Sequence, residues 1–391
     1  MEQLPENVLL RILTKLHAFD VIRAALSSPF LRAVATSAAH LIPRSSVMSI
    51  LMKDSNAGLV FCAHDPSRNA CLFFPLDFLS MLASSFRSHF LTPLSRVQHG
   101  ILATSDGGIS RVQHEILTTS DGGIVCMDSQ SVNRKSESDE CWREKAFLVF
   151  NPITGSKRLI PYPHATLDPE AVGIQYDTVS DRYELFALIE CGSRRHVMVR
   201  YASLTSTWRR MEAFSVAEGF ELDSRTIVCC NSVLFTLWKG RNAFKLYSVD
   251  GCAVNVVELP QTEQLIYISV FLMAVGGTLH IVMADHDCFL REVWVWKLQD
   301  DRKWSLVSRM PGHLKPPPEH FGMVRIVECM GINSMLYIDY IRFHKQQRVL
   351  LYDISKDEWS WIDEDKACLP FSVRFLPAST VIFEPSLTAV A

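Results

Sequence analysis

Residues 352–359 read YDISKDEW, from Tyr352 to Trp359, and residues 201–208 read YASLTSTW, from Tyr201 to Trp208. Each has an aromatic residue, a short polar run and then a Trp. That is the pattern of a strand, a turn and a second strand. Working outward, the unit recurs from Trp296 to Trp304 (WKLQDDRKW) with one extra residue. It recurs without the Trp from Tyr247 to Val254 (YSVDGCAV), from Phe150 to Lys157 (FNPITGSK) and, most weakly, from His64 to Cys71 (HDPSRNAC). The closing residues at 71, 157, 208, 254, 304 and 359 are separated by 86, 51, 46, 50 and 55 residues. Four of these five separations fall close to the length of one four-stranded propeller blade.

The long first separation is explained by two surplus segments. Residues 96–110 (RVQHGILATSDGGIS) and 111–125 (RVQHEILTTSDGGIV) are tandem copies, identical at 12 of 15 positions. Residues 129–145 are rich in Ser, Glu, Asp and Lys and read as a solvated loop. Without these, the first period approaches the others. Alternation supports strands throughout: REVWVWKL at 291–298 puts Val293 and Val295 on one face and Trp294 and Trp296 on the other. Residues 75–90 are an exception, where Leu76, Leu79, Leu82 and Phe86 have the spacing of a short helix. Six units predict a closed ring, which removes exposed sheet edges. Residues 371–375 and 381–383 are expected to complete the first blade.

Composition excludes several alternatives. Lys and Arg number 39 against 42 Asp and Glu, so no basic excess points to nucleic acid or an anionic membrane. Residues 264–284 hold no Asp, Glu, Lys or Arg and are long enough to span a bilayer. Gly276-Gly277 near the middle instead predicts two buried strands joined at a turn. The N-terminus lacks a basic start and carries Glu2 and Glu6, so it does not read as a signal peptide. Eleven cysteines show no CxxC pair or zinc spacing, which suits free thiols in a reducing compartment, cytoplasm or nucleus. Cys229 and Cys230 are expected on opposite faces of a strand.

The first 40 residues differ in kind. Pro5, Val8, Leu9, Ile12, Leu13 and Leu16 fall on one helical stripe, with Pro5 at a first-turn position. Asp20 is placed to cap a second helix through Val21, Ala24 and Ala25, and Ser28-Pro29 opens a third with Phe30, Leu31 and Val34. Three such short helices bury little apolar surface alone and need a partner surface, on this chain or on another.

The run LPENVLLRILTKLHAFDVIRAALSSPFLRAV, from Leu4 to Val34, resembles the F-box. Leu4-Pro5, Ile12-Leu13, Leu16, Asp20 and Arg23 match its pattern, Leu26 takes the usual Val place and Phe30 the Trp place. His17 replaces the second Pro, and Ser27-Ser28 replace a Cys-basic pair. FNPITGSKRLIP and the YDTVSDRY run from Tyr176 to Tyr183 resemble the plant-type F-box/kelch family. The resemblance implies an F-box at 1–42 and a degenerate six-bladed kelch-like β-propeller at 45–387. It implies a substrate-recognition subunit of a ubiquitin ligase that docks a Skp1-like adaptor and, through it, a cullin. The adaptor-binding residues are then Leu4, Pro5, Leu9, Ile12, Leu13, Leu16, Leu26 and Phe30. The glycine pairs of kelch blades are sparse, since only Gly276-Gly277 stands clearly in a blade and Gly107-Gly108 and Gly122-Gly123 belong to the tandem copies.

No catalytic motif is present: there is no G-x-S-x-G, H-E-x-x-H, Walker loop or G-x-G-x-x-G. Neither a cofactor nor a metal is expected. Asp285, His286, Asp287 and Cys288 are successive and cannot all converge on one ion from a strand. His313 and His320 flank the prolines at 316–318, an extended loop. A target protein is expected on inter-strand loops, with residues 316–320, Arg194-Arg195-His196 and 239–242 as candidates. A ubiquitin-independent kelch scaffold and a propeller enzyme remain as alternative readings.

Overall fold

The computed structural model describes residues 6–13, 16, 18–27, 31, 33–35, 48–54, 58–65, 70–76, 118–128, 145–164, 167–177, 179–192, 194–224, 226–241, 243–251, 253–260, 268–286, 290–315, 324–332, 334–342, 347–361 and 380–383. Two helices come first, α1 (Glu6–Leu13) and α2 (Ala18–Ser27), and residues 31 and 33–35 are also helical. Asp20 lies inside the first turn of α2, not at its cap, where a carboxylate still faces the positive end of the helix dipole.

Among the described residues after these, the regular structure is strand in antiparallel sheets that follow the chain, with one 3-10 turn at Gly312–Leu314. Sheet I contains β1 (Met48–Asp54), β2 (Gly58–Asp65) and β3 (Ala70–Leu76). Sheet II contains β4 (Thr118–Asp121), β5 (Ile124–Asp128), β6 (Ala146–Phe150) and β7 (Lys157–Pro161). Sheet III contains β8 (Pro169–Asp177), β9 (Arg182–Glu190), β10 (Arg195–Ala202) and β11 (Thr207–Ser215). In sheet IV, β12 (Glu221–Leu222) and β13 (Val228–Cys230) both pair with β14 (Val233–Lys239), followed by β15 (Phe244–Asp250) and β16 (Ala253–Val257). Sheet V contains β17 (Ile268–Val275), β18 (Thr278–His286), β19 (Leu290–Leu298) and β20 (Trp304–Arg309). Sheet VI contains β21 (Val324–Ile332), β22 (Met335–Arg342), β23 (Gln347–Asp353) and β24 (Glu358–Trp361). The last strand, β25 (Thr380–Phe383), returns to pair with β1 and takes the leading edge of sheet I.

The leading strands of these sheets pack on one another in succession: β4 on β8, β8 on β13, β13 on β17, β17 on β21, β21 on β25 and β25 on β4. Sheets radiating from a circle of leading strands, with the last strand of the chain completing the first sheet, define the β-propeller class. The core lies between sheets. Ile124, Phe147 and Val149 of sheet II meet Val172, Leu185 and Tyr201 of sheet III. Leu188 and Met198 meet Leu234 and Trp238 across the next seam. Leu237 and Leu246 meet Ile281 and Met283, and Val293 and Val295 meet Ile338 and Tyr352.

Local detail follows the sequence closely in several places. β17 and β18 share the turn Gly276-Gly277, both at positive φ, so the described part of the charge-free stretch, 268–284, is a strand pair. No helix of the described residues is long and apolar enough to cross a membrane. Gly122-Gly123 makes the corresponding turn between β4 and β5, so this pair belongs to a blade as well as to the tandem copy. Asn231-Ser232, also at positive φ, does the same between β13 and β14. Cys229 packs toward sheet III and Cys230 toward sheet V, on opposite faces as alternation requires. Residues 75 and 76 end a strand, β3, and do not open a helix. Residues 77–90, 96–117, 129–144 and 371–375 lie outside the described residues.

The hairpin units are refined in register. Phe150 faces Lys157, Tyr201 faces Trp208, Tyr352 faces Trp359 and His64 faces Cys71, as the repeat implies. Tyr247 faces Val256, not Val254, and Trp296 faces Leu306 while Leu298 faces Trp304. The first change comes from a tight turn between Asp250 and Ala253 through Gly251. The second comes from the turn at 300–302, closed by the Gln299 N–H donating to the Lys303 carbonyl at 2.8 Å with Arg302 at positive φ; the bulge between Val295 and Trp296 lies beyond it.

Candidate functional site

Two surfaces stand out, one on the helices and one on the sheets. Leu13, Val21, Ala25, Val34 and Ala35 are buried and form the small core of the helical unit, with Leu9, Leu16 and Ala24 packed against it. The chain leaves α1 by a turn in which the Leu16 N–H donates to the carbonyls of Ile12 and Leu13, each at 3.2 Å. One stripe cannot bury every apolar residue on so slim a unit. Val8 and Ile12 remain 37% and 43% exposed. Being four residues apart, they project side by side from one face of α1. Burying both under a partner would contribute about 1 kcal/mol each, since less than half of each side chain is still in water.

The residues that the F-box resemblance selects therefore separate. Ile12 is exposed, Leu9 and Leu16 are half-buried against the helical core, and Leu13 is inside it. Leu26 lies on α2, with its side chain outside the described residues, as are Leu4, Pro5 and Phe30. Val8 is the addition. It belongs to the apolar stripe, and only its pairing with Ile12 at helical spacing distinguishes it from the inward residues.

On the sheets, antiparallel order divides the connections between two ends of the strands. Turns joining first to second and third to fourth strands fall at one end and are short, among them 122–123, 203–206, 251–252 and 354–357. Connections joining second to third strands, and each sheet to the next, fall at the other end. The described strands bracket residues 77–117, 129–145, 310–323 and 362–379 there. The three loop candidates all belong to this longer-loop end: 316–320 follows β20, Arg194-Arg195 joins β9 to β10, and 239–242 joins β14 to β15. Residues 316–320 lie outside the described residues.

At this end Arg194 adopts φ 67° and pairs with Glu218 at 2.8 Å, and each of these exposed groups favours the charge of the other through that bond. His196 departs from the loop reading. It sits on β10, 5% exposed, with Nε2 3.0 Å from the Glu170 carboxylate and its ring edge-on to Trp238 at 4.8 Å. It is part of the wedge between sheets III and IV. Lys239 closes β14 and Gly240 opens a turn in which its N–H donates to the Ala243 carbonyl at 2.7 Å. No group of three or more His, Cys, Asp or Glu among the described residues is arranged to hold a metal. Asp285 and His286 end β18, and residues 287 and 288 lie outside the described residues.

No family model matches the chain, and no curated protein matches it in sequence. Solved structures are similar in shape. A periplasmic gluconolactonase of Pseudomonas aeruginosa is 11% identical, with a TM-score of 0.40 over 81% of this chain and 82% of that one. A fungal lectin from Aleuria aurantia, a six-bladed β-propeller that recognises fucose, is 10% identical, with a TM-score of 0.43 over 81% of this chain and 89% of that one. A puromycin hydrolase is 10% identical, with a TM-score of 0.39 over 62% of this chain and 38% of that one. Assignment to the propeller class rests on the strand order, not on these likenesses.

Proposed function

We propose that this chain is a substrate-recognition adaptor of a ubiquitin ligase. In this reading the helical unit acts as an F-box that docks a Skp1-like adaptor and, through it, a cullin. The sheets act as a six-bladed kelch-like ring that holds a target protein. The observation that supports it most is the exposed pair Val8 and Ile12, on a helix whose adjacent flank is already committed to the small core of Leu13, Val21 and Ala25. The strand order adds a second support, because it gathers the longer connections at one end of the sheets, where loops can recognise a partner.

The mechanism would be one of proximity. The chain raises the effective concentration of the target beside a ubiquitin-loaded enzyme and fixes its orientation, without itself making or breaking a bond. Affinity purification of the full chain followed by mass spectrometry tests this. Recovery of a Skp1-like adaptor and a cullin is the expected result. Recovery of target proteins without either would favour a ubiquitin-independent scaffold.

A further inference from the structure

We propose that the β14–β15 turn is a docking site for an acidic segment of a partner protein. This deepens the adaptor reading by naming the chemistry of the target. Lys239, Arg241 and Lys245 surround the turn, and the ion pairs among the described residues include none of the three. Their positions follow from the register. Lys239 faces Phe244 across the pair and Lys245 faces Trp238, so the two lysines leave from opposite faces of the sheet, with Arg241 exposed at the tip. The Lys239 Nζ lies 5.5 Å from the Phe244 ring centre, and the Lys245 Nζ lies 4.5 Å from that of Phe220.

Both rings are half-buried and rooted in the inter-sheet core, Phe220 toward sheet III and Phe244 toward sheet V. A cation resting on a ring is held in place while its N–H donors still face outward. The turn thus presents two ring-held lysines, one on each face, each beside an apolar surface anchored at its base, with Arg241 exposed at the tip between them. This combination fits carboxylates alternating with apolar side chains.

The nearby acids are few and already placed. Glu218 is bonded to Arg194 at 2.8 Å, and Glu221 is the backbone partner of Lys239 but makes no ion pair with it. A nucleic acid needs an extended row of cations, which three side chains around one turn do not supply. The site lies at the longer-loop end of the sheets, so a segment bound there is free to contact neighbouring connections.

Fluorescence anisotropy of the full chain tests the site with three labelled probes: an alternating Glu–Leu peptide, an alternating Lys–Leu peptide and a single-stranded DNA. The Glu–Leu peptide should bind, more weakly at high salt, and the Lys–Leu peptide should not. Lys239→Ala/Arg241→Ala/Lys245→Ala should weaken the Glu–Leu peptide about tenfold, the combined effect of three exposed charge pairs. The melting temperature of the variant, read in parallel, should stay unchanged because the three side chains are on the surface. Equal binding by the variant, no binding by the wild type, or tighter binding of the DNA would each overturn the proposal. Adaptor binding by the same variant should be untouched, so loss of this site and loss of the adaptor function are read separately.

Discussion

The indole Nε1 of Trp208 donates to the carbonyl of Pro161, 2.9 Å away, and so ties the last strand of sheet III to the last strand of sheet II. Trp304 repeats the bond to the Glu258 carbonyl at 2.7 Å and Trp361 to the Leu314 carbonyl at 3.1 Å. The partners are 47, 46 and 47 residues apart, so the same latch recurs on three seams among the described residues, between sheets II and III, IV and V, and V and VI. Trp359 adds a bond to the Ser308 hydroxyl at 3.0 Å across the seam between sheets V and VI.

Replacing Trp304 with Phe keeps most of the apolar contact and removes the N–H. The expected loss is about 1 kcal/mol, the usual net worth of one such hydrogen bond. Trp208→Phe should cost a similar amount, and the two should add because the sites are far apart and share no partner. Urea unfolding of both single variants and the double variant measures this. An unchanged unfolding midpoint in the double variant would refute the latch.

Gly173 on β8 marks a close approach between that strand and the backbone leading into β13. The Ile227 N–H donates to the Val172 carbonyl at 2.9 Å, and Val172 bridges to Thr226 in parallel. A Cβ at 173 would lie 2.5 Å from the Ile227 carbonyl oxygen and 2.8 Å from the Ile227 Cβ. The oxygen is backbone and cannot rotate away. Gly173→Ala is therefore expected to destabilise the protein by about 1–3 kcal/mol, the cost of overpacking. Thermal unfolding checks it, and a variant as stable as the parent would show that the seam yields.

High pH should loosen the ring. Burial raises the Tyr183 phenol to about 12. Burial, with the Asp357 carboxylate accepting the hydroxyl at 3.0 Å, takes Tyr352 to about 12 as well. In the unfolded chain a phenol ionises near 10. The folded state thus holds these protons more tightly, so its advantage is complete below about pH 10 and is lost as pH rises toward about 12. Melting temperatures taken across that window should fall, and Tyr352→Phe should make the fall shallower. Identical slopes in the parent and the variant would contradict this.

How much of this was legible in the sequence depends on spacing. Phe150–Lys157, Tyr201–Trp208 and Tyr352–Trp359 pair as the repeat implies because each loop ends on a residue at positive φ: Gly155, Ser206 and Asp357. That geometry fixes the loop length, so a constant spacing in sequence becomes a constant register in space. Shorter turns at 251–252 and 300–302 broke the rule at Tyr247 and Trp296, and neither changes the residue types on which the repeat was recognised. The latch was hidden for another reason: a Trp that begins an outer strand looks the same whether its N–H meets water or the next sheet. On α1, Ile12 and Leu13 are neighbours in one apolar stripe, yet one is exposed and the other buried. Only the position of α2 decides which side of the stripe is core.

The tandem copies offer a test of register. The second copy supplies β4, the Gly122-Gly123 turn and the start of β5, where Ile124 and Val125 are fully buried. Deleting 96–110 leaves all of these in place and shortens only the connection between β3 and β4, so stability should change by less than about 1 kcal/mol. Deleting 111–125 joins the first copy to Cys126 and puts Ser110 where Val125 was, at a cost of about 1–3 kcal/mol for a buried hydroxyl. Equal unfolding midpoints in the two deletions would show that Val125 is not what selects the second copy.

The most direct test of the central claim is calorimetric titration of a purified Skp1-like adaptor into the full chain and its Val8→Asp/Ile12→Asp variant. The parent should bind, and the variant should bind roughly a hundredfold more weakly, because two carboxylates would be buried in an apolar contact. Its sheets should melt as before, since neither side chain belongs to the helical core. Equal affinity in the two proteins, or no binding by the parent, would contradict the proposal that this chain is a ligase adaptor.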